Sequence, residues 1–530
     1  MKSYYSPTYF LVFIPLLIII YSITPKKKRW FILLIASLIF SYLLSGKLIV
    51  YLLSSIIVVY LSGLWLKKIN DKCDKATENI DKEEKKRIKA KYNGKKKLIL
   101  IGSILIHVGI LIFLKYSGFF ATNINTLFEA LNINIHLPIP KFLLPIGISF
   151  YTLQAISYSI DVYRGLIPAE KHLGKVALYM SFFPQIMEGP ICRYNETADS
   201  LYEGKSITYH NFTFGIQRII YGILKKCVIA DRLNPLITNI FTNYSEFNGG
   251  IIALGAIAYT IQLYMEFSGT MDIVIGTSEI FGIKLTENFQ RPFASPTISE
   301  FWKRWHITLG SWFKDYIFYP ISTSKPFRKL TLVLRKKLGN YYGPVLAGVT
   351  ALFTVWLLNG FWHGVGWQYI LFGLYHFCLI LIGSLISPLI KKITDKLHIN
   401  RSSKVYHFIQ IIKVCILVFI GELIFRAEGL QACLSMLQSL FTNFSLSSFK
   451  DLSFLKLGID CADYIIVGIT LIIIFIISHL EEKNINVRVL ITKQNIILRW
   501  AIYYAFILFI IIFGAYGHGY VPVDPIYAQF

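Results

Sequence analysis

Apolar runs of membrane-crossing length, divided by short basic connections, set the pattern of this chain. Tyr9 to Ile23 is the first run, and Pro25-Lys-Lys-Lys-Arg29 stops it; Trp30 to Leu44 and Leu48 to Leu66 follow, with Ser45-Gly46-Lys47 as the turn between them. A helix rises about 1.5 Å per residue, so roughly 20 apolar residues span the hydrocarbon core and each run reads as a pass. Lys67 to Lys97 then carries 13 Lys/Arg against 6 Asp/Glu, which predicts a solvated helix lying against anionic lipid. Leu98 to Leu114 crosses next, Ser117 to Pro140 has no Lys or Arg, and Phe142 to Tyr158 returns. Later passes are predicted at Pro344 to Leu358, Gln368 to Ile386, Tyr406 to Phe425, Tyr464 to Ser478 and Trp500 to Tyr516. The expected fold is an all-α polytopic membrane protein of about eleven transmembrane helices, with re-entrant or horizontal helices besides.

Between Asp161 and Tyr319 the runs become too short or too polar for clean spans. Phe214 to Val228 is amphipathic, with Ile216, Ile219, Ile220, Ile223 and Leu224 opposite Arg218, Lys225 and Lys226. It suits a helix in the interface plane or packed inside the protein. Ile251 to Ile275 is apolar but holds Gln262, Glu266 and Asp272; charges at that depth need partners, and pairing with arginines is expected. The basic connections, among them Lys325 to Lys337, Lys391 to Lys404 and Lys483 to Arg499, read as cytoplasmic, which puts both termini outside.

Composition agrees. The 530 residues are 55% hydrophobic and 16% charged, where a soluble domain carries about 25% charge. The net charge of +24 sits between apolar runs, so it reads as topology signal and lipid contact; no nucleic-acid partner is implied. Seven scattered cysteines show no metal spacing, and no metal site is expected. The first apolar run lacks a basic n-region and a cleavage site and reads as a retained anchor. With no internal repeat and no linker, residues 1–530 read as a single membrane-embedded domain.

Two histidines stand out. His363 lies in Leu357-Leu-Asn-Gly-Phe-Trp-His-Gly-Val-Gly-Trp367, between apolar runs and beside Gly360, Gly364 and Gly366. An ionisable side chain at that depth is costly without partners and a polar cavity, so it is a functional candidate; a tight loop between passes is the plainer alternative. His306 lies in Phe301-Trp-Lys-Arg-Trp-His-Ile-Thr-Leu-Gly-Ser-Trp-Phe-Lys-Asp-Tyr316, which follows a possible capping box from Thr297 to Glu300. Laid out at about 100° per residue, Phe301, Trp312, Trp305, Tyr316, Leu309, Trp302, Phe313 and His306 share one arc, opposite Lys303, Lys314, Ser311, Arg304 and Asp315. Such an aromatic stripe also fits a membrane-interface anchor. His376 and His107 are expected to be packed and hydrogen-bonded, and His518 is a weaker candidate for contact with an external partner.

Several motifs occur in an order that resembles a known family. They are Leu144-Pro-Ile-Gly-Ile-Ser-Phe-Tyr-Thr-Leu-Gln154, Asp161-Val-Tyr-Arg-Gly165, Phe182-Phe-Pro-Gln-Ile-Met-Glu-Gly-Pro-Ile-Cys-Arg193, Glu266-Phe-Ser-Gly-Thr-Met-Asp272, Asn288-Phe-Gln-Arg-Pro-Phe293, Glu300-Phe-Trp-Lys-Arg-Trp-His-Ile-Thr-Leu309 and Trp362-His-Gly364. The chain thereby resembles the membrane-bound O-acyltransferases, in the branch of the alginate O-acetyltransferase membrane subunit. The resemblance covers residues of about 95 to 380, with 406–530 as further C-terminal helices, and the ending Ile526-Tyr-Ala-Gln-Phe530 also looks like that branch. Asn359-Gly-Phe-Trp before His363, Gly310 and Ala528 depart from its usual residues.

The resemblance implies a funnel-and-tunnel helical bundle in a bacterial cytoplasmic membrane, with His363 as the essential histidine and His306 as the second characteristic polar position. It implies acetyl transfer from a cytosolic thioester, acetyl-CoA or an acyl carrier protein, to an extracytoplasmic polysaccharide or a partner acetyltransferase. No bound cofactor is expected; the thioester is a substrate. Chemistry agrees, since a neutral imidazole can take the proton of a hydroxyl as that hydroxyl attacks a thioester. Trp305, Trp302, Asn359 and Trp362 are candidates for orienting the donor or the oxyanion, and Lys303 and Arg304 for attracting its phosphates, although lipid headgroups would suit those cations equally. Two alternatives stand beside this reading. D-alanyl transfer to teichoic acid belongs to the same family; a polysaccharide or lipid transporter is of another class, but it tends to show repeated halves, which are absent here.

Overall fold

A computed structural model describes residues 4–78, 80–516 and 520–523. His518 and the Ile526 to Phe530 ending therefore lie outside the described residues. Among those described, the chain is helical, with only an isolated antiparallel bridge between Phe289 and Trp305.

Among the described residues, eight helical stretches are long and apolar enough to cross a membrane: Lys26–Ala76, Lys82–Ala130, Gly249–Ile280, Lys325–His363, Trp367–Lys396, Lys404–Arg426, Cys461–Glu482 and Ile496–Phe513. The difference from the expected count has identifiable sources. Lys26–Ala76 holds two expected passes, which meet at Gly46 in a left-handed-region φ of 54°. Tyr9–Ile23 is apolar but shorter. The expected pass at Phe142 to Tyr158 is instead a helix over Ile148–Arg164, buried on nearly every side, and residues 142–147 ahead of it are not helical.

The basic stretch from Lys67 to Lys97 is also corrected. It is not a separate helix: Ile49–Ala76 runs into it from one side, and Lys82–Leu111 starts within it. Lys, Glu and Arg are good helix formers, so each apolar helix extends through its charged flank. The Asp81 side chain accepts the N–H groups of Glu83 (2.7 Å) and Glu84 (3.0 Å), opening the second helix with an N-cap. Lys325 to Lys337 is likewise helical, and Gly339, at φ 80°, separates this basic arm from the span that ends at His363.

The chain divides into two compact units, Met1–Ile216 with Val274–Thr286, and Gln217–Ile273 with Glu287–Gln529. In the first, Tyr4, Tyr9, Phe13, Phe40 and Phe183 form one aromatic cluster, with Tyr4 stacked on Phe40 at 5.6 Å. The Tyr4 hydroxyl is buried and satisfied, donating to the Phe183 carbonyl and accepting from the Met187 N–H. His107 is packed as expected, its Nδ1 2.7 Å from the Ser103 carbonyl.

In the second unit the helices Lys325–His363 and Trp367–Lys396 form a hairpin in backbone contact. A Cβ on Gly360 would lie 2.5 Å from the Tyr369 carbonyl oxygen, and one on Gly373 would lie 2.3 Å from that of Trp356. No side chain fits at either crossing, and small residues are what let two membrane helices approach this closely.

Candidate active site

Thr297 caps its helix as the sequence suggests, its side chain accepting the Glu300 N–H at 3.1 Å. Glu300 does not complete the box; its carboxylate takes the Arg304 guanidinium at 2.6 Å, one turn on. The predicted continuous helix over 301–316 is also corrected. Ile298–Arg304 ends, Trp305 goes extended, His306 turns left-handed at φ 46° and ψ 53°, and a new helix runs over Ile307–Phe313. The shared arc of aromatic residues therefore does not persist past Arg304.

The break is held from outside the segment. Gln290 N–H donates to the Arg304 carbonyl (2.9 Å), and Ile307 N–H donates to the Asn288 carbonyl (3.0 Å). Asn288, fully buried, also aims Oδ1 into the turn, accepting the Thr308 N–H at 3.1 Å and the Thr308 hydroxyl at 2.9 Å. The same oxygen lies 3.2 Å from His306 Nδ1. A backbone N–H can only donate, so this atom is the acceptor, and Nδ1 of His306 carries the hydrogen in the neutral ring. Nε2 then holds the lone pair. Burial, then the neighbouring His363, hold the His306 imidazole well below the usual value of 6.5.

His363 arrives by a regular route, as the last residue of Lys325–His363, and is 5% exposed. Trp362 packs its ring against both imidazoles, 5.6 Å from His306 and 5.0 Å from His363. Phe372 and Phe425 stand edge-on to His363 at 5.8 and 5.3 Å. Asn359 is buried one turn before His363, hence on the same helix face, and its Oδ1 has no hydrogen-bond partner. The two histidines singled out in the sequence, 57 positions apart, are brought together with Trp362 and Asn359.

The other predicted positions are placed differently. Trp305 is buried among Tyr264, Phe289, Phe293 and Phe301. Trp302 donates its indole N–H to His376 Nδ1 at 3.2 Å. Lys303 is exposed. Arg304 lines a cavity of about 1120 Å³, reached also by Arg218, Lys225, Asp272, Asn288 and Arg291, with Ile473, Ile477, Ile502 and Phe506 on its apolar side. The cavity touches neither imidazole, but Asn288 belongs both to its lining and to the His306 turn.

Asp272 pairs with cations as expected, at 3.0 Å from Arg218 Nε and 2.7 Å from Lys225 Nζ. Arg218 also grips Glu287 through both terminal nitrogens, at 2.7 and 2.6 Å. The Glu266 carboxylate accepts a 3.4 Å bond from Thr270 on its own helix. No cluster of three or more metal-ligating side chains occurs among the described residues.

His376 is packed and hydrogen-bonded, as expected. Asn288 is the residue whose role sequence reasoning missed: it stood only as the start of a resemblance motif, and its reach to His306 and Thr308 exists only once the break has formed.

Comparison with known proteins points the same way. Residues 167–334 match the membrane-bound O-acyltransferase (MBOAT) family, a range that includes His306 and stops short of His363. The chain is 34% identical over 343 residues to the probable alginate O-acetylase AlgI of Pseudomonas aeruginosa, covering 65% of this chain and 60% of that protein. It is 32% identical over 310 residues to the peptidoglycan O-acetyltransferase of Helicobacter pylori (54% and 55%), and 32% identical over 242 residues to the teichoic acid D-alanyltransferase of Bacillus subtilis (44% and 58%). The chain thus spans about three fifths of the length of such relatives. With its multi-pass helical fold and these matches, the chain is similar to the membrane-bound O-acyltransferase family over residues 167–334.

Proposed function

We propose that the chain is an O-acyltransferase of the cytoplasmic membrane, moving an acetyl group from a cytosolic thioester to an extracytoplasmic polysaccharide, directly or through a partner acetyltransferase. The observation that carries this reading is the buried array of His306, Trp362 and His363, with His306 held by Asn288. The names of the relatives fit acyl transfer onto cell-envelope polymers.

In the reaction, a hydroxyl oxygen attacks the thioester carbonyl, the C–S bond breaks, and the hydroxyl proton is taken up by an imidazole and passed to the leaving thiolate. His363 is the assigned base. His306 spends its N–H on Asn288 and presents a lone pair, so it suits accepting a hydrogen bond from the acceptor hydroxyl better than stabilising an oxyanion. The indole N–H of Trp362 is a donor only, and it is the group in this array suited to the developing negative oxygen. Close packing of aromatic rings around both imidazoles limits water, and with it loss of acetyl to hydrolysis. Arg291 and Arg304 in the cavity supply the cationic chemistry that a phosphate-bearing thioester needs, and Asn288 joins that cavity to the histidines.

The test is acetyl transfer from radiolabelled acetyl-CoA by purified protein in liposomes. Transfer that is lost in His363→Ala at unchanged thermal stability supports the reading. Wild-type turnover in His363→Ala overturns it and favours transport.

A further inference from the structure

His376 is a further buried histidine, beside the site, that the reaction above does not use. Its ring is fully enclosed, stacked on Trp356 at 5.4 Å and edge-on to Trp302 and Phe372 at 4.8 and 4.7 Å. Phe372 is the same ring that stands against His363 at 5.8 Å. The hydrogen bond from Trp302 Nε1 fixes the chemistry of this imidazole, because an indole nitrogen donates and never accepts. Nδ1 of His376 must therefore carry the lone pair and Nε2 the hydrogen. Nε2 has no hydrogen-bond partner and faces helix Lys404–Arg426, where a Cβ on Gly421 would lie 2.7 Å from it. A buried N–H without an acceptor is costly, and a merely space-filling residue at this position would not incur that cost.

The location of the bond matters more than its energy. Trp302 sits four residues before His306, at the end of the helix that leads into the left-handed turn. His376 sits on Trp367–Lys396, the helix that follows His363 across a short extended turn. One hydrogen bond therefore ties the segment carrying one site histidine to the helix packed behind the other. We propose that His376 is a positioning residue for the transfer reaction, which through Trp302 sets the spacing of His306 and His363. This rests on the acyl-transfer reading given above.

The test compares His376→Leu, which removes the acceptor, with His376→Asn, whose side-chain oxygen can occupy the place of Nδ1, and with Trp302→Phe, which removes the donor and keeps a ring. Each is measured for kcat and for KM of both substrates in the liposome assay, with melting temperature followed alongside. The expected result is a kcat about tenfold lower in His376→Leu and Trp302→Phe, with both KM values unchanged. Activity returns in His376→Asn, and the Trp302→Phe/His376→Leu double variant is no slower than either single one. Wild-type kcat in His376→Leu or in Trp302→Phe, equal loss in His376→Asn and His376→Leu, or losses that multiply in the double variant would each overturn the proposal. If His376→Leu fails to fold, Trp302→Phe and His376→Asn decide by the same criteria. Retained activity in His363→Ala marks failure of the acyl-transfer reading itself, separately from these outcomes.

Discussion

The two site histidines reach one place by opposite means. His363 ends a 39-residue helical stretch and follows from ordinary helix geometry. His306 occupies a left-handed turn that an L-residue adopts at a cost of roughly 1–2 kcal/mol, and it stays there because Asn288 and the bridge at Phe289 grip its neighbours. One position is given by the continuity of an element and the other by its interruption. A residue at a helix end tolerates change in its surroundings better than one whose backbone is held by bonds from a distant segment.

This contrast can be broken or sharpened experimentally. The largest expected effect is on chemistry at the regular position: His363→Ala should lower transfer by at least about 100-fold while leaving the melting temperature near wild type. Next is the grip on the irregular one. Asn288→Leu strands the Thr308 N–H and the His306 ring, and should cost about 1–3 kcal/mol of stability along with most of the activity, read by thermal unfolding in detergent and by acetyl transfer. A smaller effect separates backbone from side chain at the turn. His306→Gly and His306→Ala should both be inactive, but the glycine variant should be more stable by about 1 kcal/mol because it accepts the left-handed φ.

The smallest is a pH effect. His306 binds its proton less readily folded than unfolded, so the folded state is favoured above the usual imidazole value of 6.5. Stability from this group is lost as pH falls below that value, since the unfolded chain then takes up a proton that the folded one refuses. Unfolding temperatures measured from about pH 7.5 down to about pH 5 should fall more steeply for wild type than for His306→Gln.

What was readable in the sequence follows the same division. His363, its flanking apolar runs and the need for partners at that depth could be read directly, because they depend on local periodicity and on the cost of a polar group in lipid. Asp272 was readable for the same reason, and its cations are Arg218 and Lys225. His306 was readable as a residue but not as a geometry. The wheel over Phe301 to Tyr316 assumed an unbroken helix, whereas Asn288 and Gln290, more than ten positions earlier, supply the bonds that end it. Helix boundaries beside Lys-rich flanks failed for a related reason: charged straight-chain residues mark the edge of the hydrocarbon without marking the end of a helix.

At Gly360 and Gly373 the absence of two methyl groups determines where His363 stands. Because each carbonyl of the hairpin rests where a side chain would begin, adding one carbon at either crossing would push the His363 helix outward as a rigid lever. Gly360→Ala or Gly373→Ala would then leave every side chain around His363 intact and misaligned, a lesion that an inventory of those side chains would never reveal.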